Sequence, residues 1–175
     1  PIGSISRLKS SMIDLPAEKQ DEALFKQGPI VPTVECRIID LDSGKELPWD
    51  GKSFGELQVR GPYVTGMYYN DPEQEDKFTG GWLKTGDVAT IDTEGYLQLV
   101  DRTKDLVKSG GEWISSVELE NTLMAHPKVL EAAVIGLPHP HWQERPVAVV
   151  VPRTDHINTL DSEEIREILK SSEEK

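Results

Sequence analysis

Thr85-Gly86-Asp87, followed further along by Asp101-Arg102-Thr103-Lys104-Asp105-Leu106-Val107-Lys108, sets a carboxylate, an arginine and two lysines close together in a chain of formal net charge −12. The chain changes character at this cluster. Upstream of it, short alternating runs are broken by glycine and proline. Downstream, stretches of helical spacing appear between apolar runs. The division falls near residue 102, with a strand-rich part before it and a small α+β part after it.

Working upstream, residues 88–91 and 96–100 read as a hairpin joined by Asp92-Thr93-Glu94-Gly95, whose glycine suits the left-handed position such a turn needs. Gly80-Gly81-Trp82 reads as a turn. In residues 55–61, Leu57 and Val59 alternate with Glu56, Gln58 and Arg60, which predicts a half-buried strand with the polar trio outward. Gly61-Pro62 ends it. Residues 34–40 read as a strand leading into the turn Leu41-Asp42-Ser43-Gly44-Lys45, and residues 16–25 as a short helix. Downstream, Ser115 and Glu118 have capping-box spacing, with Leu119 and Leu123 on one face of the helix they open and His126-Pro127 closing it. Residues 129–137 and 146–151 read as strands joined by a loop over 138–144. Residues 161–170 read as a helix capped by Asp161 and Glu164, with Ile165, Ile168 and Leu169 inward. Neither half has βαβ units at dinucleotide-binding spacing, and Gly110-Gly111 is neither a Rossmann nor a P-loop fingerprint.

A chain of 175 residues suffices for one domain or two small ones. Hydrophobic residues at 37% and charged residues at 29% point to a soluble globular protein rather than a disordered one. Acidic residues outnumber basic ones, 31 to 19, so the surface repels a phosphate backbone and nucleic acid is not the expected partner. Cys36 is the only cysteine; no internal disulfide is possible, and its apolar neighbours predict a buried small hydrophobe. The apolar run 147–151 is too short to span a bilayer, no signal peptide is visible, and the start at Pro1 fits a cut or processed chain. The expected location is cytoplasmic.

Four segments together resemble the AMP-forming acyl-CoA synthetases of the adenylate-forming superfamily. They are Gly55-Glu56-Leu57-Gln58-Val59-Arg60-Gly61-Pro62, Gly81-Trp82-Leu83-Lys84-Thr85-Gly86-Asp87, residues 101–108, and Ser109-Gly110-Gly111-Glu112-Trp113-Ile114-Ser115-Ser116-Val117-Glu118-Leu119-Glu120. The similarity continues through His126-Pro127-Lys128-Val129, Glu131-Ala132-Ala133-Val134 and Gln143-Glu144-Arg145-Pro146, and the Gly-Gly-Glu-Trp-Ile-Ser-Ser wording is most similar to the medium- and long-chain fatty acid branch.

The resemblance implies a mixed α and β fold. A strand-rich, distorted β-barrel-like subdomain of a larger adenylation domain would occupy residues 1–101, a hinge segment 102–108, and an incomplete small α+β domain 109–175. It also implies a reaction. A carboxylate attacks the α-phosphate of ATP to give an acyl-adenylate and pyrophosphate; the small domain turns, and the CoA thiol then displaces AMP to leave a thioester. Asp87 matches the aspartate that accepts from the ribose hydroxyls, a role suited to two acceptor oxygens. Arg102 matches an arginine on the ribose or phosphate side, where a fixed fork of donors serves better than a lysine. Lys104 matches the hinge position. Lys108 and Ser109-Gly110-Gly111 match the segment facing the active site for thioester formation, its glycines allowing close approach of a pantetheine arm, with Trp113 on the CoA or nucleotide side.

ATP and CoA are thus the implied co-substrates. The family's Ser/Thr/Gly-rich phosphate loop and its aromatic-Gly-x-Thr-Glu segment have no match here, and the Mg2+ ligands lie outside the chain. Nor does the Gly-Lys segment that supplies the adenylation lysine; Lys170 and Lys175 lack its glycine context. The resulting expectation is a fragment that does not adenylate alone, whose first partner is the missing upstream large domain. A homodimer and peripheral attachment to a membrane are compatible with this.

Blander readings stand beside these. Asp87 after a glycine is also a common turn residue. Arg102, Lys104 and Lys108 also read as a solvated strand-end cluster paired with Asp101 and Asp105. Ser115 reads as a cap rather than a nucleophile, no histidine standing at a triad position. Trp113 reads equally as packing. His126, His139 and His141 lack metal-site spacing, so no metal ligand is assigned and His139-Pro140-His141 reads as a surface loop. Alternatives for the whole are a ligase for another carboxylic or amino acid, a non-catalytic module of the same fold, and a strand-rich domain with no small-molecule role.

Overall fold

The computed structural model describes residues 3–72, 74–157 and 159–173. The chain forms two compact units, residues 1–103 and 104–175.

The first unit holds α1 (Ala17–Leu24), β1 (Gly28–Pro29), β2 (Glu35–Ile39), β3 (Gly55–Arg60), the single turn α2 (Gln74–Lys77), β4 (Phe78–Thr79), β5 (Trp82–Ile91) and β6 (Tyr96–Arg102). The strands form one antiparallel sheet in the order β1-β6-β5-β3-β2, with β4 paired to β5. The sheet is open, which corrects the barrel-like expectation. Closing a barrel requires its outer strands to meet in a staggered register. Here each outer strand is covered by its own neighbourhood instead. The Ile5 N–H donates to the Pro29 carbonyl (3.2 Å) and the Val31 N–H to that of Gly3 (3.0 Å), while at the other edge the Leu47 N–H donates to the Ile38 carbonyl (2.8 Å). The core gathers Ile38, Leu57, Ala89, Ile91 and Leu97, with Ile30, Cys36, Leu47 and Val59 packed against it. Cys36 is half-buried, and loss of hydration, with Glu46 nearby, pushes its thiol up to about 11.

Strand β3 departs from simple alternation. Leu57 is buried as expected, but so is Gln58, at 2% exposure. Its amide oxygen accepts from the Arg37 guanidinium at 3.0 and 2.7 Å and its amide nitrogen donates to Glu56. Arg37 and Arg60 both stack on the Trp82 ring, 4.5 and 4.4 Å from its centroid, and this layer covers the face that the sequence pattern leaves to water.

The second unit holds β7 (Val107–Ser109), β8 (Glu112–Ile114), α3 (Ser116–Met124), β9 (Val129–His139), β10 (Gln143–Pro152) and α4 (Ser162–Glu173). Its antiparallel sheet runs β8-β7-β10-β9. Helix α3 lies against β9 and α4, burying Leu123 beside Val129 and Val134. Ser115 caps it, its hydroxyl accepting from the Glu118 N–H at 3.1 Å. Asp161 caps α4 by accepting from the N–H groups of Glu163 and Glu164, both at 2.9 Å. The loop expected over 138–144 is much shorter, because β9 continues to His139 and β10 begins at Gln143. Pro138 pairs with Glu144 without breaking the ladder, since β9 lies at the sheet edge, where a missing N–H is tolerated.

Candidate functional site

Thr85-Gly86-Asp87 is a bulge within β5. On β3 the register steps from Glu56, opposite Val88, to Gln58, opposite Lys84, so three residues of β5 stand against Leu57 alone. The Thr85 hydroxyl bridges the gap by donating to the Leu57 carbonyl (2.9 Å) and accepting from the Asp87 N–H (3.1 Å). Gly86 takes φ 74° at the apex, a left-handed conformation that favours glycine. The bulge stays attached to β6: Asp87 pairs with Arg102, and the Gly86 carbonyl accepts from both the N–H (2.9 Å) and the hydroxyl (3.0 Å) of Thr103.

This geometry brings Asp87 and Arg102 together. Arg102 Nε lies 3.0 Å from Asp87 Oδ1, with the arginine side chain 57% exposed and the aspartate 28%. Arg102 therefore meets Asp87 across the strand pair, while buried Asp101 accepts the backbone N–H of Arg102 at 2.7 Å. A carboxylate gripped by one oxygen from one side keeps acceptor capacity for a diol. Beside the bulge opens a cavity of about 350 Å³ lined by Glu56, Tyr68, Lys77, Lys84, Thr85 and Gly86.

The other sequence-singled residues fall in the second unit. Lys104 is exposed in the turn that opens it. Lys108, Ser109, Gly110, Gly111 and Trp113 share one hairpin, β7–β8, whose two-residue turn is Gly110-Gly111. Both glycines have positive φ, 61° and 93°, as a tight I′ turn matching the twist of the strands requires. Lys108 and Trp113 face each other across the pair, Nζ 4.2 Å from the ring centroid, and Ser109 is buried. The two glycines differ in surroundings. A Cβ on Gly110 would meet the Trp142 ring at 3.0 and 3.2 Å, whereas one on Gly111 would meet nothing within 4 Å. The open approach that glycine provides is therefore at Gly111.

Sequence reasoning missed Trp142 and Glu144, which hold this hairpin from the β9–β10 turn and the start of β10; the only signal was Glu144's place within the resembling segment Gln143-Glu144-Arg145-Pro146, and Trp142 had none. It also missed Thr85 and Thr103, whose hydroxyls shape the bulge. Among the described residues no group of three or more His, Cys, Asp and Glu side chains is placed to hold a metal ion. His139 instead turns its Nδ1 back to accept from the N–H groups of His141 and Trp142, both at 3.2 Å.

Residues 118–174 match the family model described as the AMP-binding enzyme C-terminal domain. The chain is 51% identical over 148 residues to a long-chain-fatty-acid–CoA ligase of Thermus thermophilus, covering 83% of this chain and 27% of the ligase. It is 49% identical to a 3-methylmercaptopropionyl-CoA ligase of Ruegeria lacuscaerulensis, covering 86% of this chain and 28% of that one. The chain belongs to the adenylate-forming acyl-CoA ligase family. The crystal structure of ATP-bound MatB from Rhodopseudomonas palustris superimposes with a TM-score of 0.73 at 37% identity, over 83% of this chain and 29% of that one. The chain thus spans under a third of the length of these adenylate-forming relatives, matching a C-terminal-like stretch of them.

Proposed function

We propose that this chain is part of a ligase that activates a medium- or long-chain fatty acid with ATP and passes the acyl group to CoA, releasing pyrophosphate and then AMP. The observation carrying the reading is the Asp87–Arg102 pair on the Thr85-Gly86-Asp87 bulge, a carboxylate oriented but still accessible. In this reading Asp87 accepts from the ribose hydroxyls of the nucleotide. Arg102 fixes the carboxylate and offers its remaining guanidinium donors to the ribose or phosphate side. Lys104, the first residue after the unit boundary, is the hinge. The β7–β8 hairpin presents Lys108 and the open edge of Gly111 to the thioester-forming step. The rest of the ligase polypeptide supplies the phosphate loop, the adenylation lysine and the Mg2+ ligands, and this chain by itself gives no acyl-adenylate.

The acid is the least constrained part. A long-chain fatty acid ligase and a 3-methylmercaptopropionyl-CoA ligase match at almost the same identity, 51% and 49%, which supports a short sulfur-containing acid as the second reading. Acid-dependent ATP–pyrophosphate exchange by the full-length ligase, run across carboxylic acids of increasing chain length, tests both. Exchange that peaks with medium or long chains supports the first reading; a peak at short acids selects the second. Exchange with no acid, from a folded protein, overturns the ligase function, and exchange by this chain alone overturns the division of labour.

A further inference from the structure

We infer that Glu144 and Trp142, at the β9–β10 turn, are positioning residues that hold the β7–β8 hairpin in register for thioester formation. The inference rests on the reading of residues 108–111 as the thioester-forming segment. Strand β7 is three residues long and pairs with β10 only where Ser109 meets Gln143. Beyond that short ladder, one side-chain link and one backbone link tie the hairpin to the β9–β10 segment. Glu144 Oε2 accepts the Lys108 N–H at 2.9 Å. The Trp142 carbonyl accepts the Gly110 N–H at 3.1 Å, and the Trp142 ring fills the space a Cβ on Gly110 would take. One link thus grips the strand at the lysine and another grips the turn.

The surroundings are built for the grip. A Cβ at Gly136 would lie 3.0 Å from Glu144 Oε2 and 3.2 Å from its carboxyl carbon, so glycine there makes room for the carboxylate between β9 and buried Val107. Gln143 takes φ 68°, a left-handed conformation that costs a residue with a Cβ and persists only where both flanks are fixed. Those flanks are Trp142, braced by His139 Nδ1 and by the edge-on His141 ring at 4.6 Å, and Glu144, whose N–H donates to the Trp142 carbonyl at 2.9 Å. Hydrogen bonds to a carboxylate are the stronger kind, and displacing a reacting group by about 1 Å costs on the order of 100-fold in rate. Neither residue needs to touch a substrate.

The test uses the full-length ligase and follows its half-reactions separately: acid-dependent pyrophosphate exchange, and acyl-CoA formation from preformed acyl-adenylate at varied CoA. Glu144→Ala and Gly136→Ala are expected to lower kcat of the second half-reaction roughly 10- to 100-fold, at least tenfold more than they lower exchange. Glu144→Gln, which keeps an acceptor oxygen, should recover most of the loss. Parallel losses in both halves together with a lower Tm, no recovery with glutamine, or no loss at all would each overturn the proposal. Lys108→Ala and Gly111→Val serve as the reference. If they impair the second half-reaction while the Glu144 variants do not, the positioning role alone fails. If they leave it intact, the thioester-forming reading fails and takes the positioning role with it.

Discussion

Replacing each turn glycine of the β7–β8 hairpin by alanine should destabilise it for two different reasons, and a double-mutant cycle with Trp142→Ala should tell them apart. Gly110 has φ 61°, inside the small left-handed well open to L-residues; Gly111 has φ 93°, outside it. Left-handed backbone costs an L-residue roughly 1–2 kcal/mol, offset by about 0.4–1 kcal/mol because alanine restricts the unfolded chain. At Gly110 the backbone therefore accounts for about 1 kcal/mol. The new methyl, 3.0 Å from the Trp142 ring, adds on the order of 1 kcal/mol as the ring is forced back. At Gly111 nothing lies within 4 Å, and the poorer backbone angle alone, at the roughly 3 kcal/mol upper end of backbone strain less the same offset, costs about 2 kcal/mol. The single costs are thus alike, but only the Gly110 cost should shrink, to about 1 kcal/mol, once Trp142 is alanine. Urea unfolding gives the free energies. Exchange protection of the Lys108 and Gly110 amides, both hydrogen-bonded to the β9–β10 turn, assigns them to this hairpin. Equal coupling of both glycines to Trp142, or none for either, would refute the assignment of the Gly110 cost to the ring.

Three further outcomes are expected. Asp87→Asn in the full-length ligase should weaken binding of an acyl-adenylate analogue by about 10- to 100-fold, the range for a hydrogen bond to a charged acceptor. It should barely move Tm, because its partner Arg102 is 57% exposed and such pairs contribute roughly 0–1 kcal/mol; a large Tm loss with unchanged affinity would sink the nucleotide role. Ser115→Ala should destabilise the second unit by about 1 kcal/mol through loss of the α3 cap, read from the urea midpoint, and an unchanged midpoint contradicts it. Burial alone would raise the Asp92 carboxyl, but the Lys26 side chain and the N–H groups of Tyr96 and Glu94 outweigh it and hold the group below the usual value of 3.8. A depressed carboxyl contributes stability that is present above that value and lost as pH falls through the folded one, so Asp92→Asn should flatten the acid limb of the first unit's stability curve. Unaltered steepness between about pH 2 and 5 would count against it.

The parts of the fold legible in sequence are those governed by neighbours a few residues apart. The Ser115 cap, the Asp161 cap and the inward stripe of α4 all follow from i to i+3 and i to i+4 spacing, and the structure has them. Alternation foretold buried Leu57 in β3, but the burial of Gln58 beside it depends on Arg37, Arg60 and Trp82 arriving from β2, the end of β3 and β5. The 138–144 loop was overestimated because Pro138 and His139 read as turn chemistry along with Pro140, whereas the edge strand β9 accepts the first two with little penalty and, of the three, only Pro140 lies in the turn.

The site divides along the same line. Asp87, Arg102 and Lys108 are singled out by the resemblance of the segments that carry them, but the shape that makes Asp87 accessible cannot be read that way. The bulge exists because β3 and β6 impose different registers on the same stretch of β5. From Lys84 to Val88, β5 spends four steps against two of β3, while on the β6 side Asp87 and Val88 pair in sequence with Arg102 and Asp101. Such a mismatch is a property of three strands together and leaves no mark in any one of them. It has a further consequence for the chain leaving the sheet. Thr103, held by its N–H and its hydroxyl to the apex carbonyl of Gly86, is the last residue of the first unit, and the next residue is Lys104, exposed and in a turn. The hydrogen bonds that shape the bulge thus also fix the chain as far as the last residue of the first unit, which is why the proposed hinge is placed after Thr103, at Lys104, and not at Arg102.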